Sequence, residues 1–87
     1  MNVEIMKKEK DYIELKFIEE DPSIFYALRD VLAEDKEVSF VSVILEHPQV
    51  DNVILKLRTS KGNPIDKLMN GLKSLNQSVE TLEKALF

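Results

Sequence analysis

The sequence predicts an α+β two-layer sandwich in the order β-β-α-β-β-α: a four-stranded antiparallel sheet with two helices on one face and a long C-terminal helix. Three observations carry this. Residues 12–18 and 53–59 alternate apolar and polar side chains, the period of a half-buried strand. A proline follows a helix-capping residue at Asp21-Pro22 and again at Asn63-Pro64, and each pair opens an apolar stripe of helical spacing. The second of those stripes continues without a gap from residue 65 to residue 86.

The first strand, residues 2–7, sets Val3 and Ile5 on one face. Lys8-Glu9-Lys10-Asp11 is a short polar connection, and residues 12–18 then place Ile13, Leu15 and Phe17 inward against Tyr12, Glu14 and Lys16 outward. Two strands with one apolar face each fit an antiparallel pair with a solvated side. The first helix covers residues 22–35, capped by Asp21, with Ile24, Phe25, Leu28, Val31 and Leu32 as its apolar set and Ala27 widening the stripe. Phe25 and Tyr26 are adjacent on that helix, so one packs inward while the other reaches the rim or a neighbouring chain. Residues 38–45 are almost continuously apolar, interrupted by Ser39 and Ser42. Both faces of that strand look buried, so it is expected to be more central or more covered than the first two. Residues 46–52, with His47-Pro48, lead into the strand at 53–59, where Val53, Leu55 and Leu57 oppose Lys56 and Arg58. Ser60-Lys61-Gly62 is a turn before the last helix, which Asn63 caps. Asp66 in its first turn, Lys84 in its last, and the Glu80/Lys84 pair agree with the helix dipole and with side-chain pairing four residues apart.

Ile65, Leu68, Leu72, Leu75, Val79, Leu82 and Leu86 recur three and four residues apart, a single narrow seam along one helix. About 22 helical residues span roughly 33 Å, whereas a strand of about seven residues spans roughly 23 Å. The helix therefore overhangs any sheet this chain builds. The expectation is that residues 65–72 pack on the chain's own sheet and residues 75–86 pack partly on another chain. Gly71 lies inside this helix, where glycine costs about 1 kcal/mol relative to alanine. It sits either on an exposed face or where another helix or the sheet approaches closely.

Eighty-seven residues suit one domain, residues 1–87, and a chain this short gains from burial against a partner. With no cysteine there are no disulfides, thiol nucleophiles or cysteine metal sites. No apolar run reaches the length of a membrane span and no signal-peptide core opens the chain, so a cytoplasmic address is expected. The net charge is −4, with basic and acidic residues interleaved, which argues against direct DNA or RNA binding by the chain alone. His47 is the only histidine. With Glu46 and Asp51 as its only nearby carboxylates, it reads as a loop residue held extended by Pro48 rather than as a ligand or catalyst. Gly62 and Gly71 cannot form a phosphate-cradling loop. No catalytic, cofactor-binding or metal-binding residue is assigned, and a small enzyme acting through His47 is the least favoured class.

The sequence resembles archaeal RNA polymerase subunit L, which is related to the eleventh subunit of eukaryotic RNA polymerase II and, more remotely, to the N-terminal domain of the bacterial α subunit. The likeness covers nearly the whole chain. It rests on Glu20-Asp21 with Leu28-Arg29, on Val38-Ser39-Phe40, on His47-Pro48, on Leu55-Lys56-Leu57-Arg58-Thr59, and on the helix opened by Pro64. It departs from the family pattern at residues 22–26, at Val43 and at Asp51-Asn52-Val53. The resemblance implies a non-catalytic assembly subunit of DNA-directed RNA polymerase, without cofactors. It would form a heterodimer with the larger D-type subunit of the polymerase, as a platform for the other polymerase subunits, and meet DNA only through the complex. The helices of each partner would form the interface, here Phe25, Leu28, Leu32, Leu68, Leu72, Leu75, Val79 and Leu82. Isolated, the chain could form a homo-oligomer, and its sequence does not fix its oligomeric state without the partner. The alternative reading is a self-associating dimerisation module unconnected to transcription.

Overall fold

The computed structural model describes residues 2–46, 52–77 and 79–86. Two seven-residue strands, β1 (Asn2–Lys8) and β2 (Tyr12–Ile18), form a hairpin and are followed by helix α1 (Pro22–Ala33). Strands β3 (Val38–Glu46) and β4 (Asn52–Thr59) come next, then helices α2 (Pro64–Ser74) and α3 (Glu80–Leu86). All strand pairings are antiparallel and the spatial order is β1-β2-β4-β3. His47 and Pro48, and with them the connection between β3 and β4, lie outside the described residues.

The alternation of the strands sets the two faces of the sheet. Ile13, Leu15 and Phe17 of β2 stand opposite Leu57, Leu55 and Val53 of β4, and all six are at most 1% exposed. Residues directly opposite in an antiparallel pair share a face, so this central strip is the floor of the core. Phe25, Leu28 and Leu32 of α1 and Ile65, Leu68, Met69 and Leu72 of α2 close over it. The Phe17 and Phe25 rings meet at 4.7 Å in a tilted arrangement, within the range where aromatic pairs add to plain burial. Tyr26, half-buried at the rim, carries the Arg29 guanidinium 5.2 Å from its ring.

Both expected helix caps are present. The Asp21 carboxylate accepts from the Ser23 amide at 2.9 Å, which holds its pKa below the usual carboxylate range, and the Asn63 side chain accepts from the Ile65 amide at 2.8 Å. Each satisfies one of the amides that a first helical turn leaves without a partner. Gly62, with φ of +86°, supplies the left-handed residue that turns β4 into α2, and the Thr59 hydroxyl donates to its carbonyl at 2.7 Å.

Two expectations need correction. The long helix over residues 65–86 does not form. Instead α2 ends at Ser74, with Leu75 as its C-cap and Asn76 at φ +60°. The Gln77 amide donates to the Leu72 carbonyl and the Asn76 amide to the Lys73 carbonyl, both at 3.0 Å. That pair of bonds around a left-handed residue is a Schellman stop, and asparagine is the non-glycine residue that tolerates it best. The helix layer therefore has three members. The strand over residues 38–46 is the other case. It is an edge strand, and α1 covers only one of its faces. Val41 and Val43 pack toward the core, while Phe40 and Ile44 on the helix-free face remain 47% and 44% exposed. An apolar strand signals burial on both faces, but nothing among the described residues lies over the second face of β3.

Candidate functional site

The eight seam and first-helix residues divide by what covers them. Phe25, Leu28, Leu32 and Leu68 are almost fully buried between α1, α2 and the sheet. They hold the two helices onto the chain's own floor. Leu72, Val79 and Leu82 are also buried, and half-buried Leu75 packs against the same cluster. The difference lies in α3. It folds back over β1 and, with Val79 just before it, buries Leu82 and Leu86, each of the three worth roughly 2 kcal/mol as area removed from water. The expected overhang is thus absorbed by the chain's own edge strand, because the Schellman stop lets the second half of the seam reverse onto β1. Leu75 at the turn remains the seam residue most open to solvent.

Polar contacts at the far end of α3 are sparse. The Lys8 ammonium donates to the Leu86 carbonyl at 3.4 Å, a cation at a helix C-terminus. Lys73 and Glu83 stand 3.7 Å apart, both about half exposed, a pair of little energetic weight. The cover is also incomplete. Seven helical residues span roughly 10 Å, while the seven residues of β1 span roughly 23 Å. Val3 is only half-buried and Ile5 is 46% exposed, although both oppose core residues of β2, Phe17 and Leu15.

Gly71 proves to be a point of close approach. A Cβ there would lie 2.8 Å from Leu28 Cδ1 and 3.3 Å from Leu32 Cδ2, so its lack of a side chain sets the distance between α1 and α2. An ion cluster ties α2 to the loop between α1 and β3. Lys67 on α2 bonds Glu37 and, at 2.9 Å, Asp35. Those bonds, to Glu37 first and then Asp35, raise the Lys67 pKa, while the Glu37 amide followed by Lys67 lowers that of Asp35.

The helix-free face is polar at its β1–β2 end. Tyr12, expected outward, is on that face but only 8% exposed. Arg58 lies 4.5 Å and Lys7 5.8 Å from its ring centre, and its hydroxyl donates to Glu14 Oε1 at 2.7 Å. Burial, then the hydrogen bond to Glu14, pushes the phenol up to about 12. At the other end Lys16 and Asn52 bind the Glu46 carboxylate at 3.0 and 3.3 Å and depress its pKa, Lys16 contributing most. An open depression of about 480 Å³ between two turns is lined by Lys10, Asp11, Thr59, Ser60, Lys61 and Gly62, and its acid, Asp11, is paired with Arg58 at 3.2 Å.

Over residues 12–85 the chain matches the RNA polymerase Rpb3/Rpb11 dimerisation domain. The chain belongs to that family. It is 30% identical over 87 residues to DNA-directed RNA polymerase subunit Rpo11 of Pyrobaculum aerophilum, covering 100% of this chain and 95% of the relative. The same subunit of Methanothrix thermoacetophila is 30% identical over 66 residues, 76% of this chain and 72% of the relative. That of Pyrococcus horikoshii is 42% identical over 48 residues, 55% of this chain and 50% of the relative. Among solved structures, DNA-directed RNA polymerase subunit L from Thermoplasma acidophilum shares the fold, with a TM-score of 0.76 at 23% identity over 97% of this chain and 83% of that one. Two residues shape the helix layer beyond the predicted set: Gly71, where α1 and α2 approach closely, and Asn76, at the stop between α2 and α3. Asn76 was visible as an asparagine in the middle of a long helical stripe, a residue at home in a C-terminal stop.

Proposed function

We propose that this chain is a non-catalytic assembly subunit of DNA-directed RNA polymerase, acting as one dimerisation domain that pairs with a D-type subunit. The pair then serves as the platform for the larger subunits. The observation that carries the reading is the match of residues 12–85 to a polymerase dimerisation domain, joined to relatives named as the Rpo11 subunit. Leu75, half-buried at the turn, and Ile5, left 46% exposed beyond the short α3, support it physically. Polymerase chemistry and its metal ions belong to other chains in this reading. DNA is met only through the assembly, in the cytoplasm where the template is.

The proposed pairing surface is the helix layer. Phe25, Leu28, Leu32, Leu68 and Leu72 shape it from beneath, half-buried Leu75 makes the contact, and Val79 and Leu82, buried on the chain's own core, join it only when that end of the chain is released. Co-expression with a D-type subunit followed by native mass measurement tests it. A one-to-one heterodimer that Leu75→Asp disrupts, with the fold retained, is the expected result. Leu75 is the cleaner probe, because Leu82→Asp places a carboxylate in the chain's own core. Recovery of a homodimer alone, with the D-type partner left unbound, overturns the reading in favour of a self-associating module. The apolar side chains exposed along the two edge strands, Ile5, Met6, Phe40, Ile44 and Leu45, are what that second reading would use.

A further inference from the structure

Resting on the pairing reading above, we infer that α3 is a detachable strap. In the free chain it occupies a groove over β1, beside α2, that receives an apolar-seamed helix of the partner in the heterodimer. Three independent features meet here. First, the groove already holds a helix, seated through Val79, Leu82 and Leu86, so its shape and chemistry accept one. Second, that helix is too short for its seat. It leaves Ile5 46% exposed and Val3 half-buried on the helix side of β1, the strip that a longer helix would cover. Third, the same residues suit both arrangements: in a straight helix Leu72, Leu75, Val79 and Leu82 would share one stripe, and with the chain turned at Asn76 all four pack on one core.

The same apolar residues therefore have two solutions, folded back on β1 or extended onto a partner. The hinge between them is a Schellman stop whose central residue is not glycine. Left-handed backbone costs an asparagine less than most residues but more than glycine. The closed state is held by three aliphatic side chains, one bond from Lys8 to the Leu86 carbonyl, and an exposed Lys73–Glu83 pair. Such a short element belongs to the low-stability end of a fold, where local opening precedes global unfolding. Closure hides the seam until a partner is present, and opening exchanges an intramolecular helix for an intermolecular one of the same chemistry.

The chain has no cysteine, so α3 can be tied down at chosen points. The full-length Lys8→Cys/Ala85→Cys variant, cross-linked within one molecule by a short bis-maleimide, is compared with the same variant capped by N-ethylmaleimide. The expected result is that the capped protein pairs with the D-type subunit and the cross-linked protein pairs at least about tenfold more slowly. In parallel, Asn76→Ala destabilises the stop and Asn76→Gly favours it. Hydrogen exchange of the α3 amides and the rate of pairing should both rise about fivefold in the first and fall comparably in the second. Equal pairing by the tied and capped proteins overturns the strap and leaves the pairing reading standing. A folded, capped protein that never binds the D-type partner removes the pairing reading, and the strap with it.

Discussion

Gly71 offers the sharpest test of how the helix layer is built. On an exposed helix face, glycine to alanine stabilises by about 1 kcal/mol, because alanine loses less backbone freedom on folding. Here the new Cβ would stand 2.8 Å from Leu28 Cδ1 and 3.3 Å from Leu32 Cδ2. Both contacts are ends of leucine side chains, which usually yield cheaply. These two are 0% and 2% exposed and packed on all sides, so moving them transmits strain into the floor of the core. Overpacking of this kind costs about 1–3 kcal/mol. Set against the propensity gain of about 1 kcal/mol, Gly71→Ala is expected to destabilise by roughly 1 kcal/mol. For a domain this size that lowers the melting temperature by about 5 °C. Gly71→Val, with two further methyl groups and a β-branch, should cost several times as much. Calorimetry of the single variants and of Gly71→Ala combined with Leu28→Ala measures the coupling. The double variant should be more stable than the sum of the singles, since the Leu28 truncation vacates the space the new methyl needs. A rise in melting temperature for Gly71→Ala, with additive behaviour in the double variant, refutes close approach of α1 and α2.

The Tyr12 phenol is raised from 10.0 to about 12 in the folded chain, so its contribution to stability is complete below pH 10 and disappears as pH rises through about 12. Denaturant unfolding should show stability falling over that window, and Tyr12→Phe should flatten the fall while Lys67 still contributes to it. An unchanged slope would mean that the phenol is neither buried nor held by Glu14. Asn63→Ala removes the α2 cap and should cost about 1 kcal/mol in thermal unfolding, whereas Asn63→Asp, which keeps an acceptor oxygen, should cost little. Ile44→Lys lies on the uncovered face of β3, so the free chain's stability should change by less than about 0.5 kcal/mol while its solubility improves. A large loss of stability would instead place that face inside a core.

Local chemistry made several elements legible before any contact was known. The alternation of Ile13, Leu15 and Phe17 against Glu14 and Lys16 leaves β2 no other register, since a shift by one residue would turn three large apolar side chains into water. Asp21-Pro22 and Asn63-Pro64 mark helix starts because cap geometry is decided within three residues. The apolar stripe also located the residues of the helix layer, although it could not say whether they cover this chain or another.

What the amino-acid sequence determined by itself, then, is which residues avoid water and which local conformations they prefer: four strands, two capped helix starts, and one seam from Ile65 to Leu86. Three matters were decided only in three dimensions. A stripe of constant spacing is equally satisfied by a straight helix and by one that reverses at Asn76. The availability of β1 as a surface made reversal the solution in the free chain. The place of β3 at the sheet edge depends on strand order, to which the burial of a single strand's side chains is blind. Gly71 acquires its meaning from Leu28, 43 residues earlier in the chain. Periodicity and capping are properties of neighbours along the chain, whereas coverage depends on what the folded chain, or a partner, brings to the other side.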